Sequence, residues 1–152
     1  MKNKVKVAHM KAAEVYSQLS YARRLQVGCV IVKNNTIIGI GYNGMPSGWD
    51  NDCEYADYFD DGDSIIRSKP EVLHAETNAI AKVAKSTNST EDADLFVTHA
   101  PCLDCAKLIH QSGIKRVFYR DTYRSEDGLN FLKQCKIEVE NVKELSSNGG
   151  GN

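Results

Sequence analysis

An α/β fold is predicted, with a mixed sheet of about five strands carrying helices on both faces, a three-layer α/β/α arrangement. Three observations lead there. After Leu73, helical and strand-like segments alternate one for one, which calls for parallel strands joined by crossovers. Before Leu73, two β-branched runs flank a short polar turn, the pattern of a hairpin. Within the first of those runs Val30, Ile31 and Val32 are apolar at successive positions, so that strand is covered on both faces.

Each element follows from its local pattern. Val7 to Ser20, "VAHMKAAEVYSQLS", repeats Ala and apolar residues every three or four positions and reads as an amphipathic helix. Gln26 to Gly44 reads as the hairpin, turning at "KNN". Met45 to Leu73 shows no clear period and has seven acids before its first base, Arg67, so it is expected to be a long, solvated or functional loop. His74 to Ser86 is a helix by its Ala content and by the spacing of Ala79, Ile80, Val83 and Ala84. "ADLFVTH" is a strand, "CLDCAKLIHQSG" a helix closed by Gly113, and "IKRVFYR" a strand. "EDGLNFLKQC" is a weaker helix and "KIEVENV" a last strand.

Composition narrows the function classes. The chain has 152 residues, 41% apolar and 26% charged, which fits one domain over 1–145 with a disordered tail over 146–152. A net charge of −1 argues against coating nucleic acid, because that affinity comes from neutralising phosphates. No stretch approaches the roughly 18 apolar residues that span a bilayer, and "MKNKVKVAHM" lacks the apolar core of a signal peptide. A cytoplasmic protein is expected. Five cysteines, an odd number, make a poor disulfide framework.

Two of those cysteines carry the chemistry. In "HAPCLDC", Cys102 and Cys105 fall in the first turn of a helix, where free N–H groups and the positive dipole end favour thiolates. A structural zinc would call for a second cysteine pair, and Cys29, Cys53 and Cys135 are isolated. His74 opens the preceding helix and can supply a third ligand. Three protein ligands leave a fourth position for water, the catalytic arrangement. Glu76 follows two residues later. Positions i and i+2 lie about 200° apart in a helix, so His74 and Glu76 share a pocket only if His74 precedes full helical geometry. A redox role for the two thiols alone is the competing reading; a thioredoxin-like pair would lie early in the chain, after a first strand.

"HAE" followed by "PCLDC" resembles the H-x-E…P-C-x-x-C signature of the zinc nucleoside and nucleobase deaminases. The order of elements is similar to the cytidine deaminase-like fold from about Val5 to Val142. Within that superfamily, "QVGCVIV", "GIGYNGMPSG", "HAETNAI" and "APCLDCAKLIHQSGIKRVFY" resemble the deoxycytidylate deaminases. Deaminases acting on free nucleosides usually place a cysteine where this chain has His74. Transfer-RNA adenosine deaminases typically lack "GYNG" and carry a basic surface.

The resemblance implies one zinc per chain, held by His74, Cys102 and Cys105, which activates a water. Glu76 relays protons between that water, ring atom N3 and the departing ammonia, converting dCMP to dUMP. It further implies substrate contacts from Asn43, the Ala75 N–H, Arg24, Tyr119 and Tyr123, with Arg24 and Tyr119 on the phosphate. Gly41, Tyr42, Asn43 and Gly44, with Arg120 as a gate, would serve allosteric control by dCTP with Mg2+ and by dTTP. Such control often accompanies a homo-oligomer, commonly a hexamer. Arg23 and Arg124 are further cations near the expected phosphate, and His99 and His110 are expected to be structural. A second zinc, which some members carry, is not expected, because Cys53 has no cysteine near Ser20 to Arg24 to join it. The alternatives are a deaminase of another cytosine or adenine nucleoside or nucleotide, or a zinc-stabilised binding protein.

Overall fold

The computed structural model describes residues 1–143, so the tail expected over 146–152 lies outside the described residues. Its elements run α1 (Asn3–Ser17), β1 (Gly28–Lys33), β2 (Thr36–Tyr42), β3 (Glu54–Tyr58), β4 (Ser64–Ser68), α2 (Ala75–Ala84), β5 (Asp94–His99), α3 (Leu103–Gln111), β6 (Arg116–Asp121), α4 (Asp127–Gln134) and β7 (Glu138–Asn141).

The main sheet has five strands in the order β2-β1-β5-β6-β7. β1 pairs antiparallel with both β2 and β5, while β5, β6 and β7 run parallel, which makes the sheet mixed as expected. Alternation along the strands divides the core in two. Cys29, Ile31, Leu95, Val97 and Val117 face Ala79, Val83, Ala106, Ile109 and Leu132 of α2, α3 and α4. Val30, Val32, Phe96 and Phe118 face Met10 and Ala13 of α1. A strand covered on both sides needs apolar residues at successive positions, which is why β1 carries them. Phe96 and Phe118 stack with ring centroids 4.5 Å apart beneath α1.

The β1–β2 turn is Asn34-Asn35, both with positive φ (50° and 58°), the backbone a two-residue hairpin turn requires. Helix α1 starts earlier than its apolar period indicates. Lys6 extends its useful surface toward the start, its ammonium 2.8 Å from Glu140 and lying over the Phe118 ring.

One expectation needs correction. The segment Met45–Leu73 is not irregular throughout: it contains an antiparallel hairpin, β3–β4, paired from Glu54↔Ser68 to Tyr58↔Ser64. Only Glu54 of its ten strand residues is buried. A hairpin exposed on both faces has no inside to impose an alternating pattern, so periodicity could not find it. The signal that could was "FDDGD". There the Phe59 N–H donates to the Asp63 carbonyl (2.7 Å), Gly62 takes φ 91°, and the Asp61 carboxylate accepts the Asp63 N–H.

Candidate active site

α2 and α3 begin side by side at one edge of the sheet. His74 is the N-cap of α2 with extended backbone (φ −79°, ψ 153°), and Cys102 is the N-cap of α3 (φ −69°, ψ 170°). His74 therefore does precede the helix, and its ring and the Glu76 side chain escape the i, i+2 opposition of a regular turn. His74 Nδ1 lies 3.2 Å from Cys105 Sγ and 3.7 Å from Cys102 Sγ. All three donor atoms fall within 4.8 Å of one another.

This donor set fits zinc. Zn–S bonds of about 2.3 Å and Zn–N bonds of about 2.0 Å at tetrahedral angles separate donors by roughly 3.5 Å. One imidazole nitrogen and two thiol sulfurs are ligands that zinc favours. The charges agree. The Cys105 S–H and the His74 ring both bond the Cys102 sulfur, which lowers its pKa to about 4. Cys105 moves the opposite way, far up, because it donates to that thiolate and is buried. The pair thus already holds one thiolate, ready for a cation.

Glu76 sits in the first turn of α2 and is only 5% exposed. Burial pushes its carboxyl up from 4.5 to about 7. A carboxyl poised near neutrality can both take and give a proton.

Two glycines make the close packing around the ligands possible. A Cβ on Gly41 would lie 2.1 Å from the Ala75 carbonyl, and one on Gly128 would lie 2.1 Å from the Pro101 carbonyl. β2 therefore presses on the first turn of α2, and α4 on the turn that presents Cys102. The rest of "GYNG" also grips α2. Asn78 Nδ2 donates to the Tyr42 carbonyl (2.8 Å), and Gly44 exchanges two backbone hydrogen bonds with Leu73, the residue before His74.

A cavity of about 430 Å³ opens over these residues. Of the residues singled out in the sequence, Arg24, Asn43, His74, Ala75, Glu76, Cys102 and Tyr123 line it. Asn43 is already engaged within the chain: Oδ1 accepts the Val27 N–H (2.9 Å) and Nδ2 donates to the Leu25 carbonyl (2.8 Å). Each amide atom keeps one further bonding direction.

Tyr119, expected on the phosphate, and Arg120, expected as an effector gate, are not among the residues lining this cavity. Tyr119 points into the core beneath α3 and α4. Arg120, next along the strand, points to the other face and pairs with Glu14 and Asp121. Lys69 and Arg124 line the cavity as further cations. Sequence reasoning passed over Lys69, whose only signal was a base shortly before the "HAE" histidine. His99 also lines the cavity, where a purely structural place was expected. Its Nδ1 is 2.9 Å from the Thr98 hydroxyl, and burial lowers its pKa from the ordinary value. His110 is exposed on α3, edge-on to Phe131.

Comparison with known proteins agrees with this geometry. Residues 3–121 match the family model described as "Cytidine and deoxycytidylate deaminase zinc-binding region". The deoxycytidylate deaminase of Enterobacteria phage T4 is 34% identical, covering 91% of this chain and 90% of that protein. The human deoxycytidylate deaminase is 39% identical over 78% of this chain and 66% of its own length. A crystal structure of dCMP deaminase from the cyanophage S-TIM5, in complex with dCMP and dUMP, superposes with a TM-score of 0.83. It is 47% identical and covers 95% of this chain and 99% of that one. With the matched region spanning both metal-bearing helix starts, the chain belongs to the cytidine and deoxycytidylate deaminase zinc-binding family.

Proposed function

We propose that this chain catalyses the hydrolytic deamination of dCMP to dUMP and ammonia. The observation that carries the proposal is one cavity. It joins the three-donor cluster and buried Glu76 to three cations, Arg24, Lys69 and Arg124. A neutral nucleoside would give those cations nothing to neutralise; a 5′-phosphate would.

His74, Cys102 and Cys105 would hold the zinc, which when bound supplies Lewis-acid activation of the attacking water. Glu76 takes a proton from that water and delivers it to N3 of the ring. Protonation at N3 drains electrons from C4 and opens it to attack. Glu76 then takes the remaining proton from the hydroxyl now on C4 and passes it to the exocyclic nitrogen; the C4–N bond breaks, ammonia leaves, and C4 keeps the oxygen as a carbonyl. The Ala75 N–H, in the first turn of α2 where backbone donors lack helical partners, would hold the base carbonyl. Asn43 uses its remaining bonding directions for the sugar. Arg24, with Lys69 and Arg124, takes the phosphate, and Tyr123 closes that side.

The regulatory reading is part of the same proposal: activation by dCTP with Mg2+ and inhibition by dTTP, in a homo-oligomer. Its support is the grip of "GYNG" on α2. A ligand that shifted Gly41 to Gly44 would push directly on the turns carrying His74 and Glu76.

An ultraviolet assay with zinc-loaded protein tests both. Turnover of dCMP well above that of deoxycytidine and cytidine, increased by dCTP with Mg2+, is the expected result. Equal turnover of the free nucleosides would overturn the phosphate assignment. An unchanged rate with either triphosphate would overturn the regulatory one.

A further inference from the structure

Among the described residues, two buried carboxylates have no part in the chemistry above: Asp94, which pairs with Arg116 on the neighbouring strand, and Glu54. Glu54 opens β3, is 1% exposed, and lies in a stretch of chain that is otherwise almost wholly at the surface. Its Oε1 accepts the backbone N–H groups of Arg23 (2.8 Å) and Arg24 (3.3 Å), and its Oε2 accepts Arg23 Nε (3.2 Å). Burying a carboxylate is costly unless it is paired and bonded, and here three donors do both. Two of those donors belong to the backbone of the segment that ends in a cavity-lining arginine.

The other strand of the hairpin holds the same arginine by its side chain. Arg24 NH1 donates to Ser68 Oγ (3.2 Å), at the last residue of β4. The two strand ends are themselves tied, Glu54 pairing with Ser68 and the Lys69 N–H donating to the Cys53 carbonyl (2.8 Å). Glu54 thus clamps the Arg24 backbone, while Ser68 aims its guanidinium.

We propose that Glu54 is a positioning residue that fixes Arg24, and through the hairpin base Lys69, at the phosphate end of the cavity. It touches neither substrate nor metal. It sets where two cations stand, and so determines how strongly a nucleoside monophosphate is preferred over the free nucleoside. This rests on the phosphate reading given above.

The test is Glu54→Gln in zinc-loaded protein. Hydrogen bonds to a charged group are stronger than neutral ones, so partial loss of the clamp should raise KM for dCMP about tenfold. The value of kcat, and kcat/KM for deoxycytidine, should stay within about twofold, because the metal and Glu76 sit on other elements. In an Arg24→Gln background the same change should have a much smaller further effect on KM, the part carried by Lys69. Calorimetric titration with dUMP and deoxyuridine, which are not turned over, reads the same preference without catalysis.

If Glu54→Gln fails to fold, Ser68→Ala removes the other hold on Arg24 and should produce a smaller shift of the same kind. The proposal is overturned if KM rises equally for nucleotide and nucleoside. It is also overturned if the effect persists in full without Arg24, or if the preference for dUMP over deoxyuridine is unchanged. Failure of the substrate reading looks different: the wild-type protein itself would show no preference for phosphorylated ligands.

Discussion

The start of α2 and the β3–β4 hairpin face the same cavity and are built in opposite ways. Ala75, Glu76 and Ala79 are buried against the sheet, with β2, β1 and α3 packed around their helix. The hairpin packs substantially against no other helix or strand, and its second strand is exposed from end to end. Yet Ser68 and Lys69 at its base line the cavity as surely as His74 does. The donor cluster and Glu76 stand on helix starts packed against the sheet; Ser68 and Lys69 stand on an element held mainly at its base.

Glu76→Gln challenges the rigid half most sharply. It should retain stoichiometric zinc by elemental analysis and lose on the order of 10³-fold in kcat, as expected for removing a general acid–base. The same variant reveals what burial of the carboxyl costs. In chelator-treated wild-type protein the folded-state pKa of Glu76, about 7, lies above its ordinary 4.5. A raised pKa contributes stability that is fully present below about 4.5 and lost as pH rises through about 7. The unfolding free energy of metal-free wild type, from urea titrations, should therefore fall between pH 4.5 and 8 relative to Glu76→Gln, by an amount on the order of 3 kcal/mol. Parallel pH dependences would remove the buried carboxyl from the account.

Gly128→Ala is subtler. Its Cβ would collide with the Pro101 carbonyl and the Cys102 backbone, displacing a ligand without touching it. Zinc affinity by competition with a chelator should drop about 10–100-fold, the usual effect of disturbing a ligand's support. An unchanged affinity would show the turn to be softer than its packing implies.

The hairpin should show the smallest effects. Ile66→Thr on its exposed face should change stability by less than about 0.5 kcal/mol in a denaturant titration. Amide exchange sharpens the contrast: β3 and β4 should exchange much faster than β1 and β5. Slow exchange in the hairpin would mean that it is covered in solution.

What could be read in the sequence follows the same division. Where burial organises the chain, pattern and structure agree. The doubly covered β1, the Asn34-Asn35 turn, Gly113 ending α3 and the His74, Cys102 and Cys105 cluster were all legible, because each leaves a local mark. Arg24 and Tyr123 could be placed at the cavity because they flank strands that end there. Where the Tyr119 side chain goes could not be read. Deciding it required knowing which face of β6 looks into the core, and one residue reverses the answer. The hairpin and Glu54 were hidden for a different reason. An acid in an acidic stretch reads as solvated until the fold shows that this one is buried against two backbone amides.

The acidic run has a further meaning once the hairpin is seen. A short two-stranded sheet carrying exposed Tyr55, Tyr58, Phe59, Ile65 and Ile66 offers free edges to any neighbouring strand, the usual start of aggregation. Asp57, Asp60, Asp61 and Asp63 stand among those side chains. They act as gatekeepers: two such hairpins brought edge to edge would force their carboxylates together. Carboxylates at those positions would set repulsion between copies against the pull of the exposed rings and aliphatic side chains beside the cavity.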